Sequence, residues 1–101
     1  MRKLCRHCLL RRAQQLLPVA AQTPEAVILE AATRLELRHR HHPCPRLRHA
    51  IALHYLLLAD HPESHAHPRL QSRYRAAALA WIDALEANAR QAQTKLALLD
   101  S

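Results

Sequence analysis

Three cysteines and nine histidines are the residues of this 101-residue chain best suited to chemistry. Cys5-x-x-Cys8 has the spacing of a metal-ligand pair, and His41-His42-Pro43-Cys44 adds a third thiol beside two imidazoles. Cys5, Cys8, His41 and Cys44 together make the donor set of a tetrahedral Cys3His zinc site. Arg2, Lys3 and Arg6 nearby favour the thiolate form, which suits metal binding or redox chemistry. Two features weigh against such a site. Structural zinc ligands usually sit in pairs on turns, whereas Cys5 and Cys8 fall on a helical apolar stripe. Free cysteine is also at home there as a small hydrophobe.

A second cluster runs Asp60-His61-Pro62-Glu63-Ser64-His65-Ala66-His67. His61, His65 and His67 could share a divalent ion. The simpler reading is a polar connection solvated by Asp60 and Glu63, with Ser64 starting a turn. His54 stands alone inside an apolar run and is expected to be buried, bonded to a neighbour such as Tyr55 or Tyr74. The catalytic inventory is otherwise thin. There are three Ser, three Thr, three Asp and one Asn, and no carboxylate pair lies on an apolar helical face. Ser64, His65 and Asp60 form only a local trio with no oxyanion donor in view. Catalysis is not expected.

Composition narrows the options further. Half the residues are hydrophobic, Leu and Ala supply 19 each, and there is no Phe and no Gly. A P-loop, a dinucleotide-binding glycine turn and a nucleophile elbow all need Gly, as do the favoured hairpin turns. An all-α fold follows. Net charge is +7, carried by 13 Arg and two Lys. Arginine is the better fork for phosphate and carboxylate, so polyanionic partners come into view.

Six prolines, at 18, 24, 43, 45, 62 and 68, fall in three pairs that punctuate the chain. They divide it into four predicted helices of one domain, over about 3–17, 24–40, 45–60 and 68–99. Cys5, Cys8, Leu9, Ala13 and Leu16 form the apolar stripe of the first. Thr23 is the expected N-cap of the second, Glu30–Arg34 and Glu36–Arg40 its i,i+4 pairs, and Ile28, Ala31, Ala32 and Leu35 its buried face. The third is apolar nearly all round from Ile51 to Ala59 and should be central. The fourth carries Ala78, Ile82, Leu85, Ala89, Ala92, Leu96 and Leu99 at alternating spacings of four and three, the seam of a coiled coil. It should overshoot a four-helix up-down bundle and pair with a second copy as a homodimer.

Short connections make successive helices antiparallel neighbours. The start of the first, the end of the second and the start of the third then share one pole. Arg2, Lys3, Arg6, Arg38, Arg40, Arg46 and Arg48 gather there, with Glu36 as the acidic exception and two helix N-termini adding positive potential. The leading expectation is a small regulatory or adaptor protein, of inhibitor or antiactivator type, that occupies a macromolecular partner. A DNA- or RNA-binding protein using the same arginines on phosphates is the alternative. A Cys/His metal sensor or structural zinc protein is the third. Stacking aromatics are almost absent, since Tyr55, Tyr74 and Trp81 read as core. No run is apolar enough to span a bilayer, and Arg6, His7, Arg11 and Arg12 interrupt any signal-peptide core. A cytoplasmic protein is expected, with neither a membrane nor a small-molecule substrate as partner.

Overall fold

The computed structural model describes residues 6–100, excluding the side chains at 92, 93, 96, 97, 99 and 100. The described chain is all helical: α1 (Arg6–Ala20), α2 (Glu25–His41), α3 (Pro45–Ala59), α4 (Pro62–His65) and α5 (Pro68–Asp100). With no glycine to supply left-handed turns, no described residue has a positive φ. Proline redirects the chain instead. Pro45 and Pro62 occupy the first turns of α3 and α4, Pro68 opens α5, and Pro24 sits at the N-cap of α2. Their fixed φ suits a helix start, where the missing N–H has no partner to lose.

Two boundaries differ from expectation. α1 runs through Pro18 to Ala20. A proline this close to a C-terminus removes one helical bond, and Ala21 N–H still reaches Leu17 O at 2.8 Å. The 61–67 connection contains the extra one-turn helix α4.

α3 is the hub, packing on α1, α2 and, most extensively, α5. Its apolar run explains why: Ile51, Ala52, Leu53, Leu57, Leu58 and Ala59 are all buried. Leu9, Ala13 and Ala20 from α1, Ile28 and Ala32 from α2, and Tyr74, Ala78, Ile82 and Leu85 from α5 complete the core. α1 and α2 each pack on α3 but scarcely on one another. The direct helix 1–helix 2 contact expected of an up-down hairpin is thus slight, and α3 floors a gap between them.

Tyrosines lock α2 to the other helices. Tyr55 of α3 donates to Glu36 at 2.6 Å, and Tyr74 of α5 donates to Glu25. Burial, then the Glu25 bond, pushes the Tyr74 phenol up to about 12. Burial, then the Glu36 bond, pushes Tyr55 up as well. The expected Glu36–Arg40 pair is therefore not formed, because Glu36 turns to Tyr55. Glu30–Arg34 does form, at 2.7 Å, as an exposed pair of small energetic weight.

The histidine-rich connection is a joint. His61, only 2% exposed, accepts from Glu63 N–H through Nδ1 and meets Thr23 O with Nε2 at 2.6 Å. That pattern requires the neutral Nε2–H tautomer. Buried Ser64 donates to Leu58 O and Gln71 to Ala59 O, satisfying two carbonyls at the C-terminal end of α3. Glu63 Oε2 accepts from the Glu25 N–H at 3.2 Å and caps α2 from 38 residues away. Thr23 is not that cap: its hydroxyl donates back to Val19 O.

α5 outruns the core. The radius of gyration is 14.9 Å, against roughly 13 Å for a compact domain of this size, and the longest extent is 54 Å. No described helix is long and apolar enough to cross a membrane.

Candidate partner-binding surface

The α2–α3 turn, residues 42–44, stands beside the middle of α5. His39 meets the Trp81 ring edge-on, with centroids 5.1 Å apart and planes at 88°. Arg48 Nε donates to His39 Nε2 at 2.9 Å. Two residues further along α5, Arg6 reaches Asp83 at 3.2 Å and Glu86 at 3.0 Å. The start of α1, the end of α2 and the start of α3 therefore address one stretch of α5.

This alters the make-up of the basic pole. Arg6 is committed to two α5 carboxylates, a pair invisible to any inspection of the pole's own segments. Arg48 is half-buried and bonded within the fold. Arg38, Arg40 and Arg46 remain exposed, and no carboxylate among the described residues pairs with them. Arg38 and Arg40 lie in the last turn of α2, where the helix dipole favours cations. Arg2 and Lys3 lie outside the described residues.

Cys44 is the N-cap of α3, in extended conformation and half-buried. The backbone N–H groups of Leu47, then Arg46, hold its thiol below the usual cysteine range, with Arg46 and Arg48 adding to this and burial opposing it. The sulfur stands beyond ordinary cap hydrogen-bond geometry. His39 is also lowered, by burial first and then by the Arg48 charge.

Of the expected zinc donors, Cys5 lies outside the described residues, Cys8 and Cys44 are half-buried thiols, and His41 is exposed. No group of three or more His, Cys, Asp or Glu placed to hold a metal occurs among the described residues. The second cluster is dispersed, with His61 turned into the fold and His65 and His67 exposed.

The seam residues divide likewise. Ala78, Ile82 and Leu85 are buried within the single chain, consumed by its own core, which corrects their assignment to an intersubunit face. Ala89 is exposed, and the side chains of Ala92, Leu96 and Leu99 are outside the described set.

One feature escaped the sequence pattern. A groove along α2 and α3 comprises two clefts, of about 660 and 270 Å³, that share Val27, Ala31 and His54; the smaller lies in the gap between α1 and α2, and the larger is lined by α2 and α3 alone. Leu16, Val19, Ile28 and Leu57 line its smaller end, and Glu30, Arg34, Leu35 and Arg38 its larger end. His54 is half-buried at the centre and bonds neither tyrosine: Nδ1 reaches Ala50 O at 2.6 Å on its own helix. The carbonyl requires Nδ1–H, which leaves Nε2 for a ligand. Helical spacing marks Val19 and Val27 as apolar but cannot show that α1 and α2 diverge.

No protein-family model, curated protein or solved structure matches this chain.

Proposed function

We propose that this is a small all-α binding protein, of regulatory or adaptor type, that acts by occupying a macromolecular partner with an acidic surface. The observation that carries the reading is the exposed set Arg38, Arg40 and Arg46 around the α2–α3 turn, none paired with a described carboxylate. Arg6 and Arg48 make bonds within the fold, so among the described residues of the pole these three are the forks available for charge-assisted contacts. The His39–Arg48–Trp81 cluster holds the turn between them, which lowers the ordering cost of binding. The reading includes an inhibitor-like mode of action without chemistry. It also includes self-association through the part of α5 beyond the core, with Ala89, Ala92, Leu96 and Leu99 as the contact line.

Binding to immobilised poly-glutamate and to random-sequence duplex DNA, each at two salt concentrations, tests this. Poly-glutamate binding that Arg40→Glu with Arg46→Glu abolishes is the expected result. Tighter binding to duplex, falling steeply with salt, would transfer the assignment to nucleic-acid phosphates. No binding to either polyanion defeats the reading.

A further inference from the structure

We infer that the groove along α2 and α3, walled by α1 at its smaller end, receives an amphipathic helix of a partner protein, with its apolar stripe on Val19, Val27 and Ala31 and an acidic end against Arg38. The inference deepens the binding reading above by giving the partner's form.

Three observations support it. α3 floors the groove and α2 walls it along its whole length, with α1 adding a second wall at the smaller end, a setting in which a further helix is accommodated. Its lips expose aliphatic side chains that a solitary monomer would gain by covering: Val19 is 67% and Val27 53% exposed. Charge sits at one end only. Arg34 is tied to Glu30, while Arg38 pairs with no described carboxylate, so the larger cleft ends on a net positive charge. Between these ends His54 presents Nε2, the one ring nitrogen not used by its own helix, to a donor or acceptor on the incoming segment.

The span fits. Val27 and Arg38 are eleven residues apart on α2, about 16 Å or three turns. A three-turn segment places apolar anchors at i, i+4 and i+7 over the aliphatic end and a carboxylate one turn later at Arg38. A second copy's overhanging α5 is a poorer occupant, because Arg90 and Lys95 are exposed on it and bring like charge to Arg38.

A fluorescein-labelled peptide of about 14 residues, helical, with Leu at those spacings and Glu at one end, serves as probe against the full chain. Two control peptides carry Lys in place of Glu, or the same residues scrambled. Val27→Glu and Arg38→Glu alter exposed positions, and circular dichroism with thermal melting confirms that each variant folds. The acidic peptide should bind in fluorescence anisotropy, and each substitution should weaken it at least about tenfold. The Lys peptide should regain affinity for Arg38→Glu. Equal binding of the Glu and Lys peptides, binding unaffected by Val27→Glu, or binding of the scrambled peptide overturns the inference. So does self-association that Val27→Glu abolishes, which would make a second copy the occupant. Arg40→Glu with Arg46→Glu should leave peptide affinity within about twofold. Poly-glutamate binding that persists while the helical peptide fails separates a wrong groove from a wrong pole.

Discussion

Arg48 donates from Nε to His39 Nε2 at 2.9 Å, nine residues back along the chain and across the α2–α3 turn. That bond makes one arginine of a basic cluster structural while Arg38, Arg40 and Arg46 stay in solvent. It also fixes the protonation state of His39, since an imidazole nitrogen that accepts a hydrogen bond carries no proton.

Arg48 and its neighbour Arg46 should therefore behave oppositely. Arg48→Ala leaves the half-buried His39 without its donor and should cost about 1–2 kcal/mol. Arg40→Glu opposes the α2 dipole while Arg46→Glu suits the first turn of α3, so the two exposed changes should offset and stay within about 0.5 kcal/mol together. Urea titration measures both. A double variant as unstable as Arg48→Ala would mean that those arginines are structural.

The same bond predicts a pH dependence. His39 is lowered below its ordinary 6.5 in the folded protein. Between the folded and unfolded values the unfolded chain binds more protons, so this group's stabilisation is fully present above 6.5 and is lost as pH falls below it. The melting temperature should drop on acidification from pH 7, and His39→Gln should flatten that part of the profile. An unchanged profile in the variant would remove His39 as the origin.

His61 and Ser64 should be worth more than their loop position implies. His61→Ala removes two hydrogen bonds from a buried joint and orphans Thr23 O. Ser64→Ala takes the 2.7 Å hydroxyl bond from Leu58 O, leaving it the longer bond from the His61 N–H, and leaves a gap in a fully buried site. Each should lose about 1–3 kcal/mol. Exposed His65→Ala and His67→Ala should be nearly silent, and comparable losses at all four positions would contradict the division.

The lowered Cys44 thiol predicts selective chemistry. Iodoacetamide should modify Cys44 with a pH midpoint below that of an ordinary cysteine, and Cys44→Ser should remove the fast phase. A midpoint in the usual range would show that the α3 N-terminus does not act on the sulfur.

Substitutions along α5 should separate core from overhang. Leu85→Asp places a carboxylate in the chain's own core and should unfold it, by roughly 3–5 kcal/mol. Ala89→Asp alters an exposed position, so it should leave the melting temperature close to wild type and reduce any dimer seen by light scattering. A dimer that survives Ala89→Asp excludes the overhang as its contact line.

Much of this molecule was legible without coordinates because the signals are local. Proline at 24, 45, 62 and 68 marks helix starts by its own covalent geometry. The apolar run from Ile51 to Ala59 announces a central helix because no face of it can be left in water. The absence of glycine excludes turn-based phosphate and nucleophile motifs outright. What sequence could not supply depends on residues far apart in the chain. Arg6 belongs to Asp83 and Glu86, Glu36 to Tyr55 rather than Arg40, and the cap of α2 to Glu63 rather than Thr23. Each choice is decided by which side chain packing brings within hydrogen-bonding range. The groove around His54 has the same origin: helical periodicity fixes which residues of α1 and α2 are apolar, but only their common seating on α3 decides that the two helices stand apart.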